Sequence, residues 1–266
     1  SQDPACVAAP SARRTIGDRM SVEFQNVSFA YQPGLPVLQE VSFRVSAGEF
    51  LLIVGQNGAG KSTILKLLNG ILKPTSGRVV VAGLDTTAIP TATLAAQVCV
   101  TFQNPADQLF ASTVRAEIEF APRNLRRPDR DALVEDALTL CELGTFVHSH
   151  PYDLAPAQRK LLAAASAIAS GSPFLAFDEP SSGLSQIERR ILQTMIDRLR
   201  ERRKGFLVVS HDLELFLRFA TKVVVLHQGK ILYDGGPSDL ISQERTLRSA
   251  GLRLPMAMRL EKILNS

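Results

Sequence analysis

The chain has 266 residues, 45% of them apolar, and a formal charge of +4: enough apolar material for the core of one large domain, and too little net charge to demand a nucleic-acid partner. No apolar stretch approaches the roughly 20 residues that cross a bilayer, Leu161 to Ser170 being short and preceded by charged residues. Cys6, Cys99 and Cys141 follow no disulfide or metal spacing, which fits a reducing compartment, and His148 with His150 reads as a loop before Pro151 rather than a metal site.

Taken in chain order, Ser1-Gln-Asp-Pro4 has the look of an expression-vector scar, and residues 1–19 lack periodicity, so they are expected to be a disordered leader or linker. The domain is expected to run from Met20 to Ser266. Ser21 to Tyr31 and Val37 to Val45 alternate apolar and polar residues about the turn Gln32–Pro36, which predicts an antiparallel pair. Short apolar runs at Phe50 to Val54, Val98 to Phe102, Phe174 to Phe177, Phe206 to Ser210 and Lys222 to Leu226 predict buried strands of a parallel sheet. Helices are predicted from Lys61 to Asn69, stopping at Gly70, and along Ile187, Ile191, Met195 and Leu199, whose four-residue spacing marks one apolar stripe. The basic run Arg198 to Lys204 ends that helix and reads as a solvated terminus. Between about 105 and 170 strand signals vanish and helical stretches such as Asp131 to Leu143 and Ala157 to Ser170 take over, so this segment is expected to be a helical lobe inserted into an α/β core.

The chemistry is concentrated in two places. Gly55-Gln-Asn-Gly-Ala-Gly-Lys-Ser-Thr63 directly follows the Phe50 to Val54 strand and opens a helix, the pattern of a phosphate-binding loop. Glycine lets successive N–H groups turn inward around phosphate oxygens at a helix N-terminus. Asn57, Gly58, Ala59, Gly60, Lys61, Ser62 and Thr63 are therefore expected to hold a nucleoside triphosphate, ATP in the family named below, with Lys61 on the β and γ phosphates and Ser62 offering a hydroxyl to Mg²⁺. The second place is Phe174-Leu-Ala-Phe-Asp178-Glu179, an apolar strand ending in two acids. Asp178 is expected to hold Mg²⁺ and Glu179 to act as general base on the attacking water. Gln103 and His211 end the neighbouring strands and are expected to reach the γ-phosphate, with Gln103 also near the metal.

Together these motifs resemble the nucleotide-binding domain of ABC transporters from Met20 to the C-terminus. The resemblance implies a P-loop NTPase core with an antiparallel β subdomain and the inserted lobe, an adenine stack on Tyr31, γ-phosphate sensing by Gln103 and phosphate positioning by His211. Gln103-Asn-Pro-Ala-Asp-Gln-Leu-Phe110 with Thr113-Val114, and the tail Ala250-Gly-Leu-Arg-Leu-Pro255 within a C-terminal segment of about 240–266, are similar to the ATPases of energy-coupling factor (ECF) importers of vitamins and of cobalt or nickel ions. That subfamily implies a peripheral subunit on the cytoplasmic face of the membrane, a transmembrane coupling subunit and a separate substrate-binding membrane subunit. It leaves two alternatives: an ATPase of another ABC transporter, or a soluble ABC-type ATPase acting on nucleic acid or ribosomes.

Two positions depart from the family. Its signature Leu-Ser-Gly-Gly-Gln stands here as Leu154-Ala155-Pro156-Ala157-Gln158, without the hydroxyl and without one backbone N–H. Hydrogen bonds to a charged partner contribute about 1.5–3 kcal/mol each, so losing two would weaken phosphate stabilisation by roughly two to four orders of magnitude. Ser185 stands where the family usually has aspartate. Since the family's head-to-tail dimer faces each phosphate loop with the other chain's signature, this chain is expected to pair with a second ATPase, giving one competent and one degenerate site.

Overall fold

The computed structural model describes residues 20–252; the expected leader 1–19 and the tail beyond Leu252 lie outside the described residues. Strand β1 (Ser21–Gln32) pairs antiparallel with β2 (Leu35–Ser46). Gln32 faces Leu35, so the turn tightens to Pro33-Gly34, with Gly34 at φ +83°. Val22 and Phe24 are buried by alternation, but the next buried residue is Val27, three places on. A register shift between Phe24 and Val27, with Asn26 at φ +49°, keeps all of them on one face.

Strand β3 (Phe50–Val54) leads into helix α1 (Lys61–Leu68), followed by β4 (Ser76–Val81), β5 (Leu84–Asp85), the short α2 (Thr91–Leu94) and β6 (Val98–Thr101). The lobe consists of α3 (Val114–Asn124), α4 (Arg130–Leu140) and α5 (Pro156–Ala169), packed against one another. Then come β7 (Phe174–Asp178), α6 (Gln186–Glu201), β8 (Gly205–Val209), α7 (Leu213–Phe216), β9 (Lys222–His227), β10 (Lys230–Gly235), α8 (Pro237–Leu240) and α9 (Glu244–Ser249).

One sheet has the order β2-β1-β4-β5 and is antiparallel; the other has the order β10-β9-β3-β8-β7-β6 and is parallel except for β10. Because successive side chains point to opposite faces, β3 feeds two cores. Phe50, Leu52 and Val54 pack with the lobe and α6, while Leu51 and Ile53 pack with α1 and the antiparallel sheet. Phe50 also stacks on Phe206 at 5.3 Å between ring centroids. Burial on both faces is what makes these strands continuous apolar runs, and it fixes the end of β3 where the loop begins.

Several expectations are corrected. Phe102 and Ser210 fall one residue outside their strands. Ile187 is 69% exposed, because a four-residue spacing drifts around a helix of 3.6 residues per turn; Met195 and Leu199 of the expected stripe are buried, and Leu192 and Ile196 complete the buried face. The basic run is exposed at Arg198, Arg202 and Arg203, as a solvated end should be, but Lys204 turns inward and donates to the carbonyls of Gly171 (3.1 Å) and Ser172 (2.8 Å), and Arg202 pairs with Asp136 of α4. Burial pushes the Lys204 pKa down. His150 is part of a loop, as its spacing suggested, its Nδ1 accepting from the Tyr152 N–H at 3.2 Å.

Candidate functional site

The loop after β3 is shaped by close contacts that exclude side chains. A Cβ on Gly55 would fall 2.3 Å from the Leu226 carbonyl oxygen, and Gly60, at φ +103° at the head of α1, would carry one 2.6 Å from a Leu38 methyl. Glycine alone satisfies both the backbone angle and the clearance. Lys61 is buried under the loop, its Nζ donating to Gly55 O (2.8 Å) and Gln56 O (2.9 Å). Burial pushes its pKa down, opposed by the charges of Glu179 and Asp178.

Beside the loop lies a cleft of about 710 Å³. Asn57, Gly58, Gly60, Lys61, Ser62 and Thr63 line it, together with Tyr31, Gln103, Asp178, Glu179 and His211, so residues far apart in sequence converge as expected. Ala59 does not; its side chain is buried behind the loop in the core shared with α1. Tyr31 stands at the rim, 56% exposed, edge-on to Phe29 at 4.9 Å and with its hydroxyl 3.4 Å from Thr63 Oγ1. An exposed ring face of this kind suits stacking on a planar base. Outside the loop motif, whose Gly55 and Gln56 also line the cleft, Val37 from β2 and Gly251 and Leu252 beyond α9 escape sequence reasoning as site residues. Only the tail motif hinted at the latter pair, since nothing local in Gly251-Leu252 signals a return to the loop, where Gly251 packs on the Gln56 side chain.

The two acids lie at the end of β7, directly below the loop. Asp178 is buried, which raises its pKa, with the nearby charge of Glu179 adding to the rise and hydrogen bonding to the Ser62 side chain, along with Lys61, opposing it. Glu179 has a left-handed backbone, φ +49°, unusual without glycine. Its Oε2 accepts from Ser210 Oγ (3.1 Å) and the His211 N–H (3.3 Å) and lies 2.8 Å from His211 Nδ1. The carboxylate is thus held at one oxygen by the residues that follow β8.

Ala155 to Gln158 and Ser185 lie elsewhere. Ala155 and Pro156 are exposed at the start of α5, with Pro156 in the first helical position, where its missing N–H does no harm to the helix. The Ala155 N–H donates to Gln158 Oε1 at 3.0 Å, so Gln158 caps its own helix. Ser185 caps α6: its Oγ accepts from the Ile187 N–H at 3.2 Å, and Glu188 Oε2 accepts from the Ser185 N–H at 2.9 Å. Ser185→Ala should therefore cost about 1 kcal/mol of stability, read as a lower urea midpoint. Tyr152, just before the signature position, donates its hydroxyl to Ala106 O (3.1 Å) and Leu109 O (3.2 Å) and so ties this segment to the one that follows Gln103.

A family model described as ABC transporter matches residues 38–182, a stretch that includes the loop, the Gln103 segment, the altered signature and both acids. The chain belongs to the ABC transporter family. As a member it is an ATP-binding, ATP-hydrolysing cassette whose turnover drives transport. It is 35% identical over 248 residues to the energy-coupling factor transporter ATP-binding protein EcfA of Methanocaldococcus jannaschii, covering 92% of this chain and 89% of that protein. With the protein of the same description from Methanothermobacter thermautotrophicus it shares 34% over 241 residues, 88% of this chain and 76% of that one. Its fold matches that of cbiO1 from Clostridium perfringens, described as part of the ABC transporter complex cbiONQ, with a TM-score of 0.74 over 91% of this chain and 98% of that one at 24% identity. A post-hydrolysis cassette dimer bound to ADP and Pi also matches, at a TM-score of 0.74 and 25% identity over 81% of this chain and 98% of that one.

Proposed function

We propose that this chain is the ATPase subunit of an ECF-type importer of a vitamin or a transition-metal ion, working with a second ATPase, a transmembrane coupling subunit and a separate substrate-binding membrane subunit. The observation that carries the reading is the convergence of the phosphate loop, Asp178 and the Glu179–His211 pair on one cleft, in a chain whose relatives include several energy-coupling factor ATP-binding proteins. No helix among the described residues is long and apolar enough to cross a membrane, so membrane attachment on the cytoplasmic face would run through the coupling subunit.

In this mechanism Tyr31 receives adenine, and the loop amides with Lys61 hold the β and γ phosphates. Ser62 and Asp178 present hard oxygen donors side by side, a set that fits Mg²⁺ shared with the phosphates and water. Bound there, the cation would neutralise charge on the transferred phosphoryl group. Glu179 takes the proton from the attacking water, His211 positions both Glu179 and the terminal phosphate, and Gln103 reports on the γ-phosphate to the membrane subunit. Because burial raises the Asp178 pKa, its protonation begins at a higher pH than for an ordinary aspartate. Acidification should thus weaken magnesium-dependent nucleotide binding more in the wild type than in Asp178→Asn, whose side chain does not titrate. Titrations of Mg²⁺ at fixed nucleotide across pH 5 to 8 on both proteins check this, the difference between them removing the titration of the nucleotide's own γ-phosphate.

A relative from Methanosarcina acetivorans, 35% identical, is matched over only 41% of its own length by 95% of this chain. Its extra length favours a second reading in which the two cassettes are joined in one polypeptide. Membrane fractionation tests the function: the chain should sediment with membranes only when the coupling subunit is co-expressed, and should stay there after nuclease and salt. Release by nuclease would favour an ATPase acting on nucleic acid or ribosomes.

A further inference from the structure

Lys160 lies one turn into α5, the helix headed by the altered signature. Its Nζ donates to two backbone carbonyls of the turn that follows β7, Ser182 O at 2.5 Å and Glu179 O at 3.3 Å. Burial pushes the Lys160 pKa down, while the charges of Glu179 and Asp178 pull it up. An ammonium taken partly out of water and placed on carbonyls, rather than on a carboxylate, stabilises a particular backbone path.

That path is an unusual one. Glu179 is held at φ +49°, a conformation that a non-glycine residue keeps only where its surroundings enforce it. The Glu179 carbonyl also accepts from the Ser182 N–H at 3.2 Å, so Lys160 closes a turn that runs from Glu179 toward Ser185 and the start of α6. Ser210 and His211 hold the carboxylate of Glu179; Lys160 holds its backbone. The same lysine connects the helix that would face a partner's nucleotide to the residue facing this chain's own.

Resting on the reading of Glu179 as general base, we infer that Lys160 is a positioning residue for ATP hydrolysis, fixing the backbone of Glu179 and the turn to Ser182 and holding α5 in register with the nucleotide cleft. The test is single-turnover hydrolysis of labelled Mg-ATP by excess protein carrying the repaired signature (Ala155→Ser with Pro156→Gly), comparing wild type at positions 160 and 179 with Glu179→Gln, Lys160→Met and Lys160→Arg in that background, with fluorescent-nucleotide affinity, melting temperature and hydrogen exchange measured on each. Lys160→Met should slow hydrolysis about 10- to 100-fold, as a small misplacement of a catalytic group does. Affinity should stay within about twofold, exchange at Ser182 to Leu184 should rise, and Lys160→Arg should recover most of the rate. A wild-type rate in Lys160→Met, or rate, affinity and melting temperature falling together, would overturn the inference alone. In the repaired background, a parent no faster than its Glu179→Gln variant would overturn the reading of Glu179 and the inference with it.

Discussion

Glu179→Gln should reduce ATP hydrolysis by about 10²- to 10⁴-fold, the contribution of a positioned general base, and leave nucleotide affinity nearly unchanged. The substitution preserves the fold because a carboxamide oxygen can still accept from Ser210 Oγ and the His211 N–H, the bonds that hold the side chain. What it removes is the proton acceptor. Lys61, Ser62 and Asp178 are untouched, so ATP should still bind; hydrolysis of labelled ATP read beside fluorescent-nucleotide binding separates the two effects. Unchanged turnover in the signature-repaired chain, where hydrolysis is not limited by Ala155 and Pro156, would place the base elsewhere.

The opposite change is expected from repairing the signature. Ala155→Ser with Pro156→Gly should raise ATP turnover of the chain on its own by about two orders of magnitude or more, since two hydrogen bonds to a charged phosphate are restored at about 1.5–3 kcal/mol each. The structure tolerates the repair. Ala155 and Pro156 are exposed at the head of α5, Ser is favoured at a helix N-cap, and the bond from the Ala155 N–H to Gln158 involves no side chain that is changed. Replacing Pro156 loosens the unfolded chain and should cost about 1 kcal/mol of stability, too little to mask the gain. Steady-state turnover at saturating Mg-ATP decides it, and no gain would mean that the altered signature does not limit the rate.

The nucleotide half of the site was legible because its chemistry is local: one loop between β3 and α1 and one pair of acids after β7 carry recognisable residues at fixed spacing. The buried strands were legible for a similar reason, since burial on both faces leaves unbroken apolar runs. What escaped depends on tertiary contacts. Strand β10 places Leu232 in solvent at an edge, and α3 contains Pro122, so neither follows a clean period. Ala59 belongs to the loop motif yet faces the core, and Gly251 reaches the cleft only because the chain folds back after α9. Ser185 read as a loss, whereas its position as the N-cap of α6 gives serine a role of its own there.

In the function proposed above, this chain combines a complete phosphate-loop half with a signature half too weak to close on a second copy of itself. Native mass spectrometry of Glu179→Gln with Mg-ATP tests it directly, because blocking hydrolysis traps any closed dimer. The protein should appear as a monomer carrying one nucleotide; a stable homodimer holding two would contradict the proposal.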